Sequence, residues 1–175
     1  MKRKGILAIV GVVVFFCAIA TSGYGIGWAL VNSKIRRDFP EVKRITTTEL
    51  AAWLSDKQQP PPLLLDVRTD AEYGVSHLQN AEHVEPDAAA AALHEAKNRP
   101  IVTYCSVGYR SGAFAQRLRA AGFTNVQNLE GSIFQWVNEG RPVFRRGEAV
   151  DKVHPYNWMW GLLLRKEHRA QVATR

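Results

Sequence analysis

Two short apolar runs, Leu63-Leu64-Leu65-Asp66-Val67 and Ile101-Val102-Thr103-Tyr104, constrain this chain most tightly. Each follows proline, Pro60 to Pro62 before the first and Pro100 before the second. Neither alternates apolar with polar residues, as a strand with one wet face would. A continuous apolar run between breakers suits a strand buried on both faces, the situation inside a parallel sheet covered by helices.

Helical patterns fill the spaces between such runs. Thr46 and Glu49 form a capping-box pattern, and Leu50, Trp53 and Leu54 continue it as an amphipathic helix to about Lys57. The residues from Gln58 to Pro62 must end that helix. A second short strand is expected at Ala81 to Val84. Asp87 can cap a helix from Ala88 to Lys97, where alanine supplies propensity more than a large apolar face. Phe114, Leu118 and Ala121 mark a helix that stops at Gly122. Asn125 to Leu129 reads as another strand, and Ser132 to Glu139 as a short helix. Strands alternating with helices predict an α/β fold with a parallel sheet and right-handed crossovers.

The chain has 175 residues, 46% of them hydrophobic, enough for one domain of about 100–150 residues with short flanks. Its net charge of +7 suggests nucleic acid until the charges are located. Residues 41–150 carry twelve Lys and Arg against thirteen Asp and Glu, so the basic excess lies in the two ends. No basic stripe is available for a phosphate backbone, and basic ends suit anionic lipid better than nucleic acid. The two cysteines, Cys17 and Cys105, cannot make a disulfide within the folded middle. The five histidines lack metal-ligand spacing, so no metal is expected.

After the basic residues 1–4, Gly5 to Val31 runs without a charge, long enough to span a bilayer. Ala18-Ile19-Ala20 would suit cleavage of a secretory signal near Ala20. The anchor reading is preferred because apolar residues continue through Tyr24, Trp28 and Val31. Asn32 to Val42 then reads as a linker, residues 43–145 as the domain, and residues 146–175 as a basic, aromatic-rich tail. Lys34, Arg36, Arg37, Lys43 and Arg44 outnumber Lys2, Arg3 and Lys4, which favours a cytoplasmic domain on a single-pass chain; cleavage would instead export it. In the tail, Trp158, Trp160 and the leucines can lie at a membrane interface with Arg165, Lys166 and Arg169 at headgroups, or the tail can pack on the domain.

The second apolar run delivers Cys105 at its carboxyl end, where parallel sheets bind ligands. The loop that follows, Ser106-Val107-Gly108-Tyr109-Arg110-Ser111, leads into a helix. A loop curling from strand into helix can turn several N–H groups toward one centre and, with the positive helix end, hold an anion. Such a site favours the thiolate, the nucleophilic form of cysteine. Gly108 permits unusual backbone angles, and Arg110 adds charge and a forked donor set. The plainer reading is a buried cysteine beside a surface arginine.

Through Leu65-Asp66-Val67-Arg68, Glu72-Tyr73, His77-Leu78 with Asn80-Ala81, Tyr104 to Ser111, and Leu129-Glu130-Gly131 with Trp136, the chain resembles the rhodanese family over about residues 43–145. Asn80 and Ser132 stand where that family often has glycine. The resemblance implies a five-stranded parallel sheet flanked by helices, with Cys105 as the sulfur-accepting nucleophile. Backbone amides of Ser106, Val107, Gly108, Tyr109 and Arg110 would cradle the persulfide, and Arg110 would help receive an anionic donor such as thiosulfate. The acceptor would be cyanide or a thiol, free or on a protein, and no cofactor is needed. The pattern places Arg68 near the pocket, as a substrate contact or as part of a clamp with Asp66; Asp66 and Ser111 are read as structural support. Two rivals remain: a binding module without turnover, and a phosphatase or arsenate reductase, whose loops generally have five residues between Cys and Arg where this one has four.

Overall fold

Every residue of Leu63–Asp66 and of Ile101–Tyr104 is buried, because both segments lie inside one sheet. The computed structural model describes residues 24–90 and 93–172. Its strands are β1 (Lys43–Ile45), β2 (Leu63–Asp66), β3 (Glu82–His83), β4 (Ile101–Tyr104) and β5 (Val126–Leu129), all parallel, in the order β1-β5-β4-β2-β3. Leu63 pairs with Ile101, and Asp66 with Tyr104. Successive side chains leave by opposite faces, so Leu64, Val102 and Tyr104 join one core cluster while Leu63, Leu65, Ile101 and Cys105 join the other. Both faces are covered, which is why neither run alternates. β3 lies outside β2 and β5 outside β4, so the direction of sheet building reverses between β2 and β4. A crevice opens at the carboxyl ends of such a pair.

The helices are α1 (residues 24–38), α2 (Thr47–Ser55), α3 (Asp70–Val75), α4 (Tyr109–Ala120) and α5 (Ser132–Asn138). Thr46 caps α2 as expected, its Oγ1 accepting from the Glu49 N–H at 3.1 Å while its own N–H donates to the Glu49 carboxylate at 2.8 Å. Thr69 and Glu72 build the same reciprocal box at the start of α3.

Two expectations need correction, and the choice left open for the tail falls to packing. Asn32 to Val42 is not a linker: α1 runs through its first seven residues and buries Ile35, while Phe39 and Val42 are buried beyond the helix. No α-helix occupies the described part of Ala88–Lys97. Alanine propensity amounts to a few tenths of a kcal/mol per residue, and a short helix without an apolar face to bury does not recover its nucleation cost. The tail packs on the domain. A hairpin of β6 (Val143–Arg145) and β7 (Glu148–Val150) leads into it, and Val153, Leu163 and Leu164 are buried. Asn138 ties it down, its Nδ2 donating to the Leu163 carbonyl at 2.9 Å and its Oδ1 accepting from the Arg165 N–H at 2.9 Å.

No helix among the described residues is long and apolar enough to cross a membrane. Residues 5–23, which hold most of the expected span and the cleavage pattern near Ala20, lie outside the described residues. From Tyr24 onward α1 belongs to the domain: Trp28 is buried, and the Tyr24 hydroxyl donates to the Leu163 carbonyl at 2.9 Å.

Candidate active site

β4 ends by delivering Cys105 to the crevice beside β2. The chain then turns at Gly108, whose φ of 107° lies in the left-handed region that glycine alone adopts freely, and enters α4. That turn brings the Gly108 N–H to 3.1 Å from the Cys105 sulfur. It is held from below: the Asn128 amide donates to the Gly108 carbonyl at 2.9 Å, and the Ser111 hydroxyl donates to Asn128 Oδ1 at 2.7 Å. Ser111 thus braces the turn through Asn128. The first N–H groups of α4, including those of Tyr109 and Arg110, have no acceptor within the helix, so this end can meet negative charge.

Arg110 is not a free anion clamp. Its Nη1 and Nη2 donate to the two carboxylate oxygens of Glu72 at 2.8 and 2.7 Å, and Nη2 also donates to the Ser106 hydroxyl at 3.1 Å. Ser106 in turn donates to Glu72 at 2.8 Å. Burial disfavours the guanidinium's charge, yet the bonds to Glu72 and the nearby Cys105 sulfur hold it above its ordinary value. Burial likewise pushes the Glu72 carboxyl up, but Arg110, Ser106 and the charge of Arg68 prevail and hold it at about 2.

Arg68 does not reach the cavity. It is fully buried, with Nε donating to Asp66 at 2.8 Å and Nη2 donating to Asp66 at 2.6 Å and to the Ser76 carbonyl at 2.5 Å. Asp66 and Arg68 form the clamp that fastens the end of β2 to the loop after α3. The substrate-contact alternative for Arg68 is set aside on this geometry.

A cavity of about 440 Å³ opens over Cys105. One side is the cysteine loop, with Ser106, Val107, Tyr109 and Arg110. The other side comes from beyond the expected domain: Leu30, Val31 and Lys34 of α1, and Tyr156 and Trp160 of the tail. Tyr109 stands at the mouth, its hydroxyl donating to Asp38 at 2.9 Å and its ring packed edge-on against Phe39. The Tyr156 ring lies 4.6 Å from the Arg110 guanidinium. His154 is nearby; burial holds its pKa below the ordinary value, Glu72 opposes that shift, and Arg68 and Arg110 reinforce it.

Sequence reasoning missed Glu72 as the partner of Arg110, although its capping box with Thr69 was there to read. It also missed Ser132, whose Oγ accepts from the Cys105 N–H at 3.2 Å and donates to the Leu129 carbonyl at 3.1 Å. Ser132 and Asn80 take the positive φ values, 48° and 59°, that the glycines they replace would adopt more readily. Among the described residues, one group could offer metal ligands, Asp70, His83 and Glu85, with donor atoms within 4.8 Å of one another. His83 is already engaged, Nε2 with the Arg68 carbonyl at 2.7 Å and Nδ1 with Asp70 at 3.2 Å.

Residues 46–139 match the model of a family described as rhodanese-like domain. A tRNA uridine(34) hydroxylase of Aster yellows witches'-broom phytoplasma is 35% identical over 91 residues, covering 48% of this chain and 30% of that protein. Its namesake in Cupriavidus taiwanensis is 28% identical over 125 residues, covering 66% and 44%. The chain thus spans less than half the length of either relative. A crystal structure of a rhodanese-like domain protein from Staphylococcus aureus shares 31% identity and a TM-score of 0.53, covering 60% of this chain and 99% of that one.

Proposed function

The chain belongs to the rhodanese-like family, and from that premise we propose that it is a sulfurtransferase carrying sulfane sulfur as a persulfide on Cys105. The observation that carries this reading is the Cys105 sulfur at the floor of a cavity with the Gly108 N–H 3.1 Å away. In the first step the Cys105 thiolate attacks the outer sulfur of a donor such as thiosulfate. The new S–S bond forms as the old one breaks, and the electron pair leaves with sulfite. The N–H groups of the turn and of the first turn of α4 stabilise the terminal sulfur anion. In the second step cyanide or a thiol attacks that sulfur and the electron pair returns to Cys105. Covalent transfer of this kind predicts ping-pong kinetics.

One observation weighs against the phosphatase rival. A phosphatase needs its loop arginine for the phosphoryl oxygens, and here the guanidinium fork is closed on Glu72. The reaction in the hydroxylases' name is not proposed, because the chain spans only 30% and 44% of the two hydroxylases it resembles. Thiosulfate treatment of the full chain should add about 32 Da, one sulfur, by intact-mass spectrometry. Cys105→Ser should abolish both that gain and cyanide-dependent thiocyanate formation. Equal thiocyanate from both proteins would leave the binding-module reading standing.

In the same reading the chain is tethered to a membrane. Residues 5–23 form a charge-free run close to the ~20 apolar residues that a bilayer span requires. The turn that packs on α1 also presents Met159 and Leu162 outward beside Trp158, which is 78% exposed. These side chains suit the interfacial zone. Flanking charge favours a cytoplasmic domain, and protease protection of sealed vesicles tests the side.

A further inference from the structure

The cavity over Cys105 differs from a minimal site for an inorganic sulfur donor in size, lining and charge. Its volume of about 440 Å³ falls among pockets that enclose small organic molecules, roughly 300–1,000 Å³. Thiosulfate, an ion of a few atoms, would leave most of it untouched. The apolar part of its wall is made by Leu30, Val31, Val107 and Trp160, beside the Tyr109 and Tyr156 rings.

Charge is the second discrepancy. Two cations line the cavity, and each is already neutralised, Arg110 by the Glu72 fork and Lys34 by Asp38 at 2.6 Å. A dianion entering would surrender its water and find no unpaired cation among the described lining residues. Tyr156 adds to the screening. It holds a φ of 64°, which bulky residues rarely adopt, and in that conformation its ring covers Arg110. Backbone strain at a pocket rim, together with an apolar wall and paired cations, suits a ligand with one charge at the sulfur end and an apolar body behind it.

We infer that the site is built for a monoanionic organic sulfane-sulfur donor, a thiosulfonate or persulfide with an aliphatic or aromatic body, in preference to thiosulfate. This rests on Cys105 as the sulfur carrier. With a thiosulfonate, the Cys105 thiolate attacks the terminal sulfur, the bond from that sulfur to the sulfonyl sulfur breaks, and a sulfinate leaves with the electron pair. One anion enters and one departs, so the balance needs no oxidant or reductant. The apolar body stays against Leu30 and Trp160 throughout.

The test uses the full chain with thiosulfate and with methane-, butane- and octanethiosulfonate, which hold the charge constant while the apolar body grows. Each buried methylene should raise kcat/KM by about three- to fourfold, so the butane compound should exceed the methane compound at least about tenfold. Thiosulfate should fall below both. Leu30→Ala and Trp160→Ala should each narrow the butane-to-methane ratio about threefold; Leu30 is 67% exposed, so its variant serves if the tryptophan variant does not fold. A flat series, a ratio untouched by the variants, or thiosulfate matching the butane compound overturns the inference while Cys105 persulfide still forms. Absence of added sulfur on Cys105 from every donor instead overturns the sulfurtransferase reading itself.

Discussion

Replacing Glu72 by glutamine keeps the shape of the side chain and removes the charge against which Arg110 is locked. The cap of α3 should survive, since an amide oxygen can accept from the Thr69 N–H as the carboxylate does at 3.2 Å. The Glu72 carboxyl is held at about 2, against 4.5 ordinarily. At about 1.4 kcal/mol per pKa unit, that difference corresponds to roughly 3 kcal/mol of stability. Breaking a buried pair costs about 3–5 kcal/mol because the remaining charge is stranded. The Arg110 side chain is 24% exposed, so water relieves part of that and the lower figure applies.

The pH dependence separates this from a packing defect. Because the folded value is the lower one, the contribution is complete above about pH 4.5 and is lost as the pH falls toward about 2. Urea unfolding of both proteins between pH 7 and pH 3 should show a gap of about 3 kcal/mol that halves by about pH 3. With a slope of about 2 kcal/mol/M, the midpoint at pH 7 should fall by roughly 1.5 M. A gap below about 1 kcal/mol at pH 7, or one that does not shrink in acid, would refute the assignment of Glu72 as a charged partner.

Three further outcomes follow from single contacts. A Cβ on Gly112 would lie 2.7 Å from the Phe39 ring, so Gly112→Ala should cost about 1–3 kcal/mol in a thermal melt, and Phe39→Leu in the same chain should recover part of it. Ser132→Ala loses the hydrogen bond from the Cys105 N–H and keeps the positive φ, whereas Ser132→Gly relieves the backbone; the glycine variant should be the more stable of the two by about 1 kcal/mol. His154 should titrate below 6.5 by NMR, and lower still in Glu72→Gln, because Glu72 is the charge that raises it. Its depressed folded value means that its contribution is present above pH 6.5 and is lost as the pH falls; a midpoint at or above 6.5 would contradict its burial.

How much of the fold and the site is legible in the sequence depends on how local each cause is. β4 begins and ends where its apolar run does, and β2 ends one residue early, because breakers and burial act on neighbouring residues. The position of Cys105 follows from those strands alone. α1 is legible too, yet easily mistaken for a linker: Val31, Ile35 and Phe39 recur at four-residue intervals with Trp28 just before them, an apolar stripe hidden by the surrounding charges and by Pro40. The expected helix over Ala88–Lys97, absent among the described residues of that span, fails in the opposite way, since it has propensity without a stripe. The Glu72–Arg110 pair is out of reach, because 38 positions separate the partners and only the crossing from α3 to the β4 loop joins them. The clamp of Asp66 on Arg68 spans two positions and can be foreseen as one of two readings.

The part matched by the family, residues 46–139, holds Cys105, Gly108, Arg110 and Glu72, but it holds only one side of the cavity. The opposite wall depends on two flanks that fix each other. The Tyr24 hydroxyl donates to the Leu163 carbonyl, Gly27 leaves room for the Leu163 side chain, and the Asn138 amide donates to Tyr24 and Leu163 together. Trp28, Leu163 and Leu164 share one buried cluster with Ile133, Phe134 and Val137 of the central domain, so loss of one flank should loosen the other. On the proposed reading, chemistry at sulfur would be a property of the shared core, and choice of donor a property of the flanks.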